Sequence, residues 1–263
     1  MHPMLNIAVR AARKAGNFIA RNYEIPGSVE TSQKSINNID RDSERLIIEV
    51  IQKSYPQHSI FSKESGKIAG EDKDIQWIID PLDGTINFIK RLPHFSVSIA
   101  VRTKGHTTVA VVYDPMRNEL FTAVRGQGTQ LNGYRLRGST TRNLVGAILS
   151  TGFPCKSKQH APAYINALAK LFMQYADFRY SGSAALDLAY VAAGRTDGYF
   201  EIALKPWNFT AGELLVREAG GLVTDFTGGH DFISSGNIVA GNPRVVKSML
   251  FSIRDELSER LKL

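Results

Sequence analysis

The 263-residue chain has a single cysteine, Cys155, so it can form no internal disulfide. A reducing, cytoplasmic setting is the expectation that follows. The chain also lacks any unbroken apolar run of about 18 residues, the length a membrane-spanning helix needs, and no membrane partner is expected. Its first residues, "MHPMLNIAVRAARKAGNFIA", are interrupted by Arg10, Arg13 and Lys14. They read as an amphipathic helix rather than the apolar centre of a secretory signal. No low-complexity tract or long Pro/Ser linker marks a boundary between domains. The formal net charge is +7, yet Lys and Arg are scattered and never form a long block of one sign. That argues against a dedicated nucleic-acid surface and leaves a general preference for anionic partners. The six histidines show no metal-ligand spacing, and Cys155 has no histidine at a spacing that would make it a nucleophile.

What is present is a full-sized globular core, 43% hydrophobic and 22% charged. Leu5, Ala8, Val9, Ala12, Ala15, Phe18 and Ile19 repeat at helical spacing. A second amphipathic pattern runs from Asp40 to Ser54, with Asp40 or Asp42 as its cap and a polar connection, "YEIPGSVETSQKSINN", before it. From His94 on, "FSVSIAVRT", "TTVAVVYDP" and "NELFTAVRG" read as consecutive antiparallel strands divided by turn residues. "GQGTQLNG" resembles a phosphate loop but lies between strands, so it reads as hairpin turns. "GAILSTGF", "DGYFEI", "GLVTDF" and "NIVAG" add strands. Helices are expected at about 161–174 and 183–194, over "NFTAGELLVREAGG", and from Pro243, with Asn242 as the cap of the last. The pattern predicts an α/β (α+β) layered sandwich. It is a single domain over residues 1–263, in two packed lobes that meet near residue 145.

The chemistry concentrates in "WIIDPLDGTINF", residues 77–88. Asp80 and Asp83 lie close together at the end of an apolar strand, and like charges there call for a cation. Two carboxylates with the Leu82 carbonyl between them suit Mg²⁺, and Thr85 would orient a metal-bound water. Gly84 permits the turn into a helix starting near Thr85. "DPLDG" is also compatible with a plain β-turn carrying capping acids.

These residues resemble the first signature of the inositol monophosphatase family, written D-P-[IL]-D-G-T-x-N-F. "PWNFTAGELLVREAGG" resembles the second, W-D-x-A-A-G-x-x-[IVL]-x-x-E-A-G-G. "SKESG", "AVVYDPMRNELFTA" and "SGSAALDLAYVAAGRTDGYFE" extend the likeness over nearly the whole chain. The resemblance implies a layered αβαβα sandwich, a homodimer, and Mg²⁺-dependent hydrolysis of inositol monophosphate to inositol and phosphate. Two or three Mg²⁺ would act by two-metal logic. Carried over by position, Asp80, Leu82 and Asp83 hold metal. Thr85 and Asp40 are catalytic, with Asp40 beside the weaker metal or its waters. Gly84 and Thr85 touch phosphate, and Gly182, Ser183, Ala184 and Glu201 face the inositol hydroxyls. The likeness to bacterial members that serve in ribosomal RNA transcription antitermination implies an alternative, with RNA polymerase and Nus-type factors as partners.

The chain departs from the family pattern in three places. Lys63 stands where the family has a metal-binding Glu, and an ammonium has donors but no acceptor. Glu64, next to it, is expected to point the other way along a strand. Asn208 stands at the second-signature Asp, a change a helix cap would tolerate. The segment "KSINNID" is shorter than the loop that closes over the family's metals. Impaired hydrolysis at Lys63 and Asn208 is therefore expected, and the antitermination role stands as the alternative.

Overall fold

The computed structural model describes residues 2–24, 33–153, 158–174 and 176–257. Cys155 lies outside them. The chain opens with two long helices, α1 (Pro3–Glu24) and α2 (Gln33–Ser54). Next come β1 (His58–Ser62), β2 (Gly66–Ile68), β3 (Asp72–Asp83) and the short α3 (Thr85–Ile89). A meander follows of β4 (Ser96–Thr103), β5 (His106–Asp114), β6 (Glu119–Val124), β7 (Gly128–Leu131) and β8 (Tyr134–Arg135). The second half runs through β9 (Ile148–Thr151), α4 (Ala161–Phe172), β10 (Asp177–Arg179), α5 (Ala184–Ala192) and β11 (Gly198–Glu201). It ends with α6 (Pro206–Glu218), β12 (Leu222–Thr224), α7 (Phe232–Ser235), β13 (Ile238–Gly241) and α8 (Pro243–Leu257).

The first sheet has the order β2-β1-β3-β4-β5-β6-β7-β8 and the second β10-β9-β11-β13-β12. Their side chains build the expected five layers. On the first sheet, alternation sends Trp77, Ile79, Ile99 and Val111 to one face, where they pack on α1 and α2. Ile78, Ala100, Ala110 and Val112 take the other face and pack on α5, α6 and the inner face of the second sheet. The outer face of the second sheet, with Leu149, Phe200 and Val239, packs on α4 and α8. The order is therefore α1/α2, sheet, α5/α6, sheet, α4/α8. Among the described residues no helix is long and apolar enough to cross a membrane.

Two boundaries differ from the sequence reading. α2 begins at Gln33, so Asp40 lies inside the helix rather than capping it, and the expected polar connection is partly helical. α1 and α2 pack against each other, and most helical stability comes from such tertiary packing rather than from local propensity. β3 continues through Pro81 to Asp83. The missing proline N–H is tolerated because the pairing with β4 slips between Asp80 and Asp83. The last helix starts as read, with the Arg244 amide donating to Asn242 Oδ1 at 2.9 Å.

Candidate active site

The register slip in β3 is what brings the two aspartates together. Residues three apart on a regular strand point to opposite faces. Here Asp80 pairs with Ser98 and Asp83 with Ser96, so an extra residue is accommodated and the two carboxyls are re-aimed toward one region. Both are buried. Gly84 then takes φ 82° as the N-cap of α3. A Cβ there would come within 2.9 Å of the His94 carbonyl, so the turn needs glycine on both counts.

Helix α2 supplies the opposite wall. Asp40, Ser43 and Glu44 share one face of it at i, i+3 and i+4. The Ser43 hydroxyl donates to the Pro81 carbonyl at 2.9 Å. Glu44 accepts the Glu64 amide at 3.2 Å and the Ser65 amide at 3.1 Å, and also the Ser65 hydroxyl. It thereby holds the turn between β1 and β2. The Lys63 amide donates to the Ile79 carbonyl at 3.1 Å, which fixes the other side of that turn. Lys63 and Glu64 therefore sit in a turn and not in a strand. The Glu64 carboxylate lies 3.9 Å from Arg41 and is near enough to Asp40 to push its pKa up.

From this turn the Lys63 ammonium enters the carboxylate cluster. It donates to Asp40 Oδ2 at 2.8 Å, to the Leu82 carbonyl at 2.7 Å and to Thr85 Oγ1 at 3.1 Å. It also lies 3.2 Å from Asp80 Oδ1 as an ion pair. Burial works against its charge, but Asp80 and Asp40 outweigh burial and hold its pKa above the ordinary lysine value. Burial pushes Asp40 up to about 7, with Lys63 pulling it down and Asp80 pushing further up. Asp83 also rises to about 7, chiefly by burial and then by Asp80. Ser183 Oγ, at 2.5 Å, and the Ala185 amide, at 3.0 Å, both donate to Asp83 Oδ2.

Asn208 closes the cluster from α6. It is the third residue of that helix rather than its cap, a correction to the sequence reading. Its Oδ1 accepts the Lys205 amide at 3.1 Å, and its Nδ2 donates to Asp80 Oδ2 at 3.0 Å. Asp40, Lys63, Asp80, Leu82, Thr85 and Asn208 thus meet at one centre, with Asp83 at its edge.

Gly182, Ser183, Ala184 and Glu201 line a neighbouring cavity of about 170 Å³, together with Asp83, Thr151, Gly152, Asp187 and Asn208. Burial pushes Glu201 up to about 7, and Tyr199 donates a hydrogen bond to it. Gly152 leaves room for this carboxyl, because a Cβ there would fall 2.2 Å from it and Glu201 would have to shift. Asp187, buried and pushed well above the usual carboxylate range by burial, accepts from Ser181 at 2.8 Å. It was not singled out in the sequence. Its helical spacing from Ser183, one turn earlier in "SAALD", is the signal that places both on one side of α5.

The donor set can be tested against the Mg²⁺ that the resemblance implies. Asp40 Oδ1 and Asp80 Oδ1 are buried without a hydrogen-bond donor, so some lone pairs are left over. Any ion they shared would lie beside the Lys63 ammonium. A divalent ion there would be repelled by that charge, and the acids that would draw it in are already partly neutralised by the ammonium. Among the described residues, no group of three or more His, Cys, Asp or Glu is arranged to hold a metal. The residues present do not fit a divalent ion at the position the ammonium fills.

A sequence profile of the Inositol monophosphatase family matches residues 1–259. The chain is 71% identical over 266 aligned residues to a protein named Nus factor SuhB from Escherichia coli (strain K12), spanning 100% of each. Among solved structures it is similar to extragenic suppressor protein suhB from Bartonella henselae. The TM-score is 0.88 at 39% identity, covering 96% of this chain and 100% of that one. It is similar also to an inositol monophosphatase from Anabaena (Nostoc) sp. PCC 7120. There the TM-score is 0.88 at 36% identity, covering 97% and 98%.

Proposed function

Since the chain belongs to the inositol monophosphatase family, we propose that it uses the family's sandwich as a Nus-type factor in ribosomal RNA transcription antitermination. In this reading it is not a metal-dependent hydrolase. Its partners are RNA polymerase and Nus-type factors, it works in the cytoplasm, and it assembles as a homodimer. The observation that carries the reading is the Lys63 ammonium bonded to Asp40, Leu82 and Thr85. An active relative would use Asp80, the Leu82 carbonyl and Asp83 as Mg²⁺ ligands and Thr85 beside the attacking water. In this chain the Leu82 carbonyl and Thr85 hydroxyl are spent on the ammonium. Asp80 is shared between Lys63 and Asn208. Full-length identity of 71% to proteins named Nus factor supports the partner assignment. The net charge of +7 gives the general preference for anionic partners that such an assembly would use, without a dedicated nucleic-acid surface.

One observation favours a second reading. The cavity beside Asp83 keeps Gly182, Ser183, Ala184 and Glu201, the residues expected to meet inositol hydroxyls. Weak, Mg²⁺-dependent hydrolysis of inositol monophosphate is therefore the competing activity. One preparation decides between them. Immobilised chain is mixed with purified RNA polymerase, a NusA-type factor and leader RNA, and phosphate release from inositol 1-phosphate is followed across a Mg²⁺ series. The proposal expects capture of the transcription components and no release above the protein-free control. Mg²⁺-stimulated release, or failure to capture any component, would overturn it.

A further inference from the structure

Lys63 does more than obstruct the centre; it is built into it. Its backbone is fixed from two sides, by the Ile79 carbonyl and by Glu44 holding the next amides of the turn. A lysine ammonium has three donors, and all three find acceptors, on α2, at the end of β3 and at the start of α3. These acceptors include the buried groups that would otherwise face a divalent ion.

Asn208 is matched to this arrangement through Asp80. Its oxygen is held by the Lys205 amide, so its NH₂ group must face Asp80 Oδ2. Asp80 consequently has one oxygen against the ammonium and the other against the amide. An aspartate at 208 could still accept from Lys205, but it would turn a second carboxylate oxygen toward Asp80. With a divalent ion present that repulsion is relieved, and with only an ammonium present it is not.

We propose that Lys63 and Asn208 act as one unit, a tethered replacement for the divalent ion. The ammonium is the permanent cation that joins α2, β3 and α3, and the amide joins α6 to them. The fold and its surfaces are then indifferent to divalent ions. This inference concerns the same centre as the proposed function but does not depend on any transcription partner. Its test reads stability, so it can fail while the partner reading stands.

The test is thermal unfolding of the full chain in EDTA and in millimolar MgCl₂. The samples are the native protein, Lys63→Met, Lys63→Glu, Asn208→Asp and the Lys63→Glu/Asn208→Asp pair. The native midpoint is expected to be the same in both conditions to within about 1 °C. Lys63→Met keeps the length of the side chain without its charge, and should melt below the native protein in EDTA. The double variant should melt lowest in EDTA and rise by about 5–10 °C with Mg²⁺ at about a hundred times its dissociation constant. If it is unfolded in EDTA, it should fold on addition of Mg²⁺, read by circular dichroism. A native midpoint that climbs by several degrees with Mg²⁺ would overturn the proposal. So would a Lys63→Met midpoint equal to the native one, or a double variant that does not respond to Mg²⁺.

Discussion

The two sides of the centre carry different chemistry on the same scaffold. On the α2–β1 side, the acids that would hold an ion instead hold an ammonium, and Asp40 reaches Lys63 at 2.8 Å. On the α5 side, Ser183 and the Ala185 amide still hold Asp83, and the cavity with Glu201 has the residues the family resemblance expects. Backbone geometry is common to both sides, in the β3 slip and in the left-handed turns at Gly84 and Gly182. On the proposed reading, the fold keeps its backbone and its cavity while an ammonium stands in for the cation at its centre. On that reading the cost would fall on the chemistry, because an ammonium cannot generate a metal-bound hydroxide or stabilise a leaving alkoxide as a Lewis acid does.

The sharpest way to break this contrast is to remove the ammonium. Lys63→Met leaves Asp40 and Asp80 buried without their cation, and should cost about 3–5 kcal/mol in denaturant unfolding, the scale for breaking a buried pair. A smaller loss is expected from Asn208→Asp. It forfeits the hydrogen bond to Asp80 Oδ2 and adds a like charge near it, a cost of about 1–3 kcal/mol by the same measurement.

On the other side, Gly152→Ala drives a methyl into the Glu201 carboxyl and should cost about 1–3 kcal/mol by overpacking. Its unfolding should remain as insensitive to Mg²⁺ as that of the native protein, because Lys63 is untouched.

A pH series separates the two sides more finely. Glu201 is raised by burial from 4.5 to about 7 in the folded state. The stability it contributes is fully present below pH 4.5 and is lost as pH rises through about 7. Glu201→Gln should flatten the fall in melting midpoint between pH 5 and pH 8 relative to the native chain. Smallest of all, Asp74→Ala at the exposed Lys104 pair, 4.0 Å apart, should change stability by less than about 0.5 kcal/mol.

Much of this centre was legible in the sequence, for identifiable reasons. An apolar strand ending in Asp-Pro-Leu-Asp-Gly-Thr has few places to put two acids, and the structure brings both to one region. Lys63 could be read as incompatible with a metal ligand from its donor inventory alone. How it would be bonded could not be read, because that depends on Glu44 and Ile79 fixing a turn from distant parts of the chain. The strand expected to carry Lys63 and Glu64 ends at Ser62, because the Ile79 carbonyl and Glu44 hold the following residues in a turn. α2 starts at Gln33, ahead of the caps expected at Asp40 or Asp42, because Asp and Asn favour caps in general but are also accommodated inside a helix. Asn208 was read as a cap because Asn favours caps, whereas Pro206 at the first position of α6 puts the cap at Lys205.

The most direct test of the account is calorimetric titration of MgCl₂ into the native, metal-stripped chain at neutral pH. The account predicts no saturable binding heat, because the ammonium already occupies the position a divalent ion would take. A saturable isotherm at millimolar or tighter affinity would contradict it, and would return the centre to metal-dependent hydrolysis.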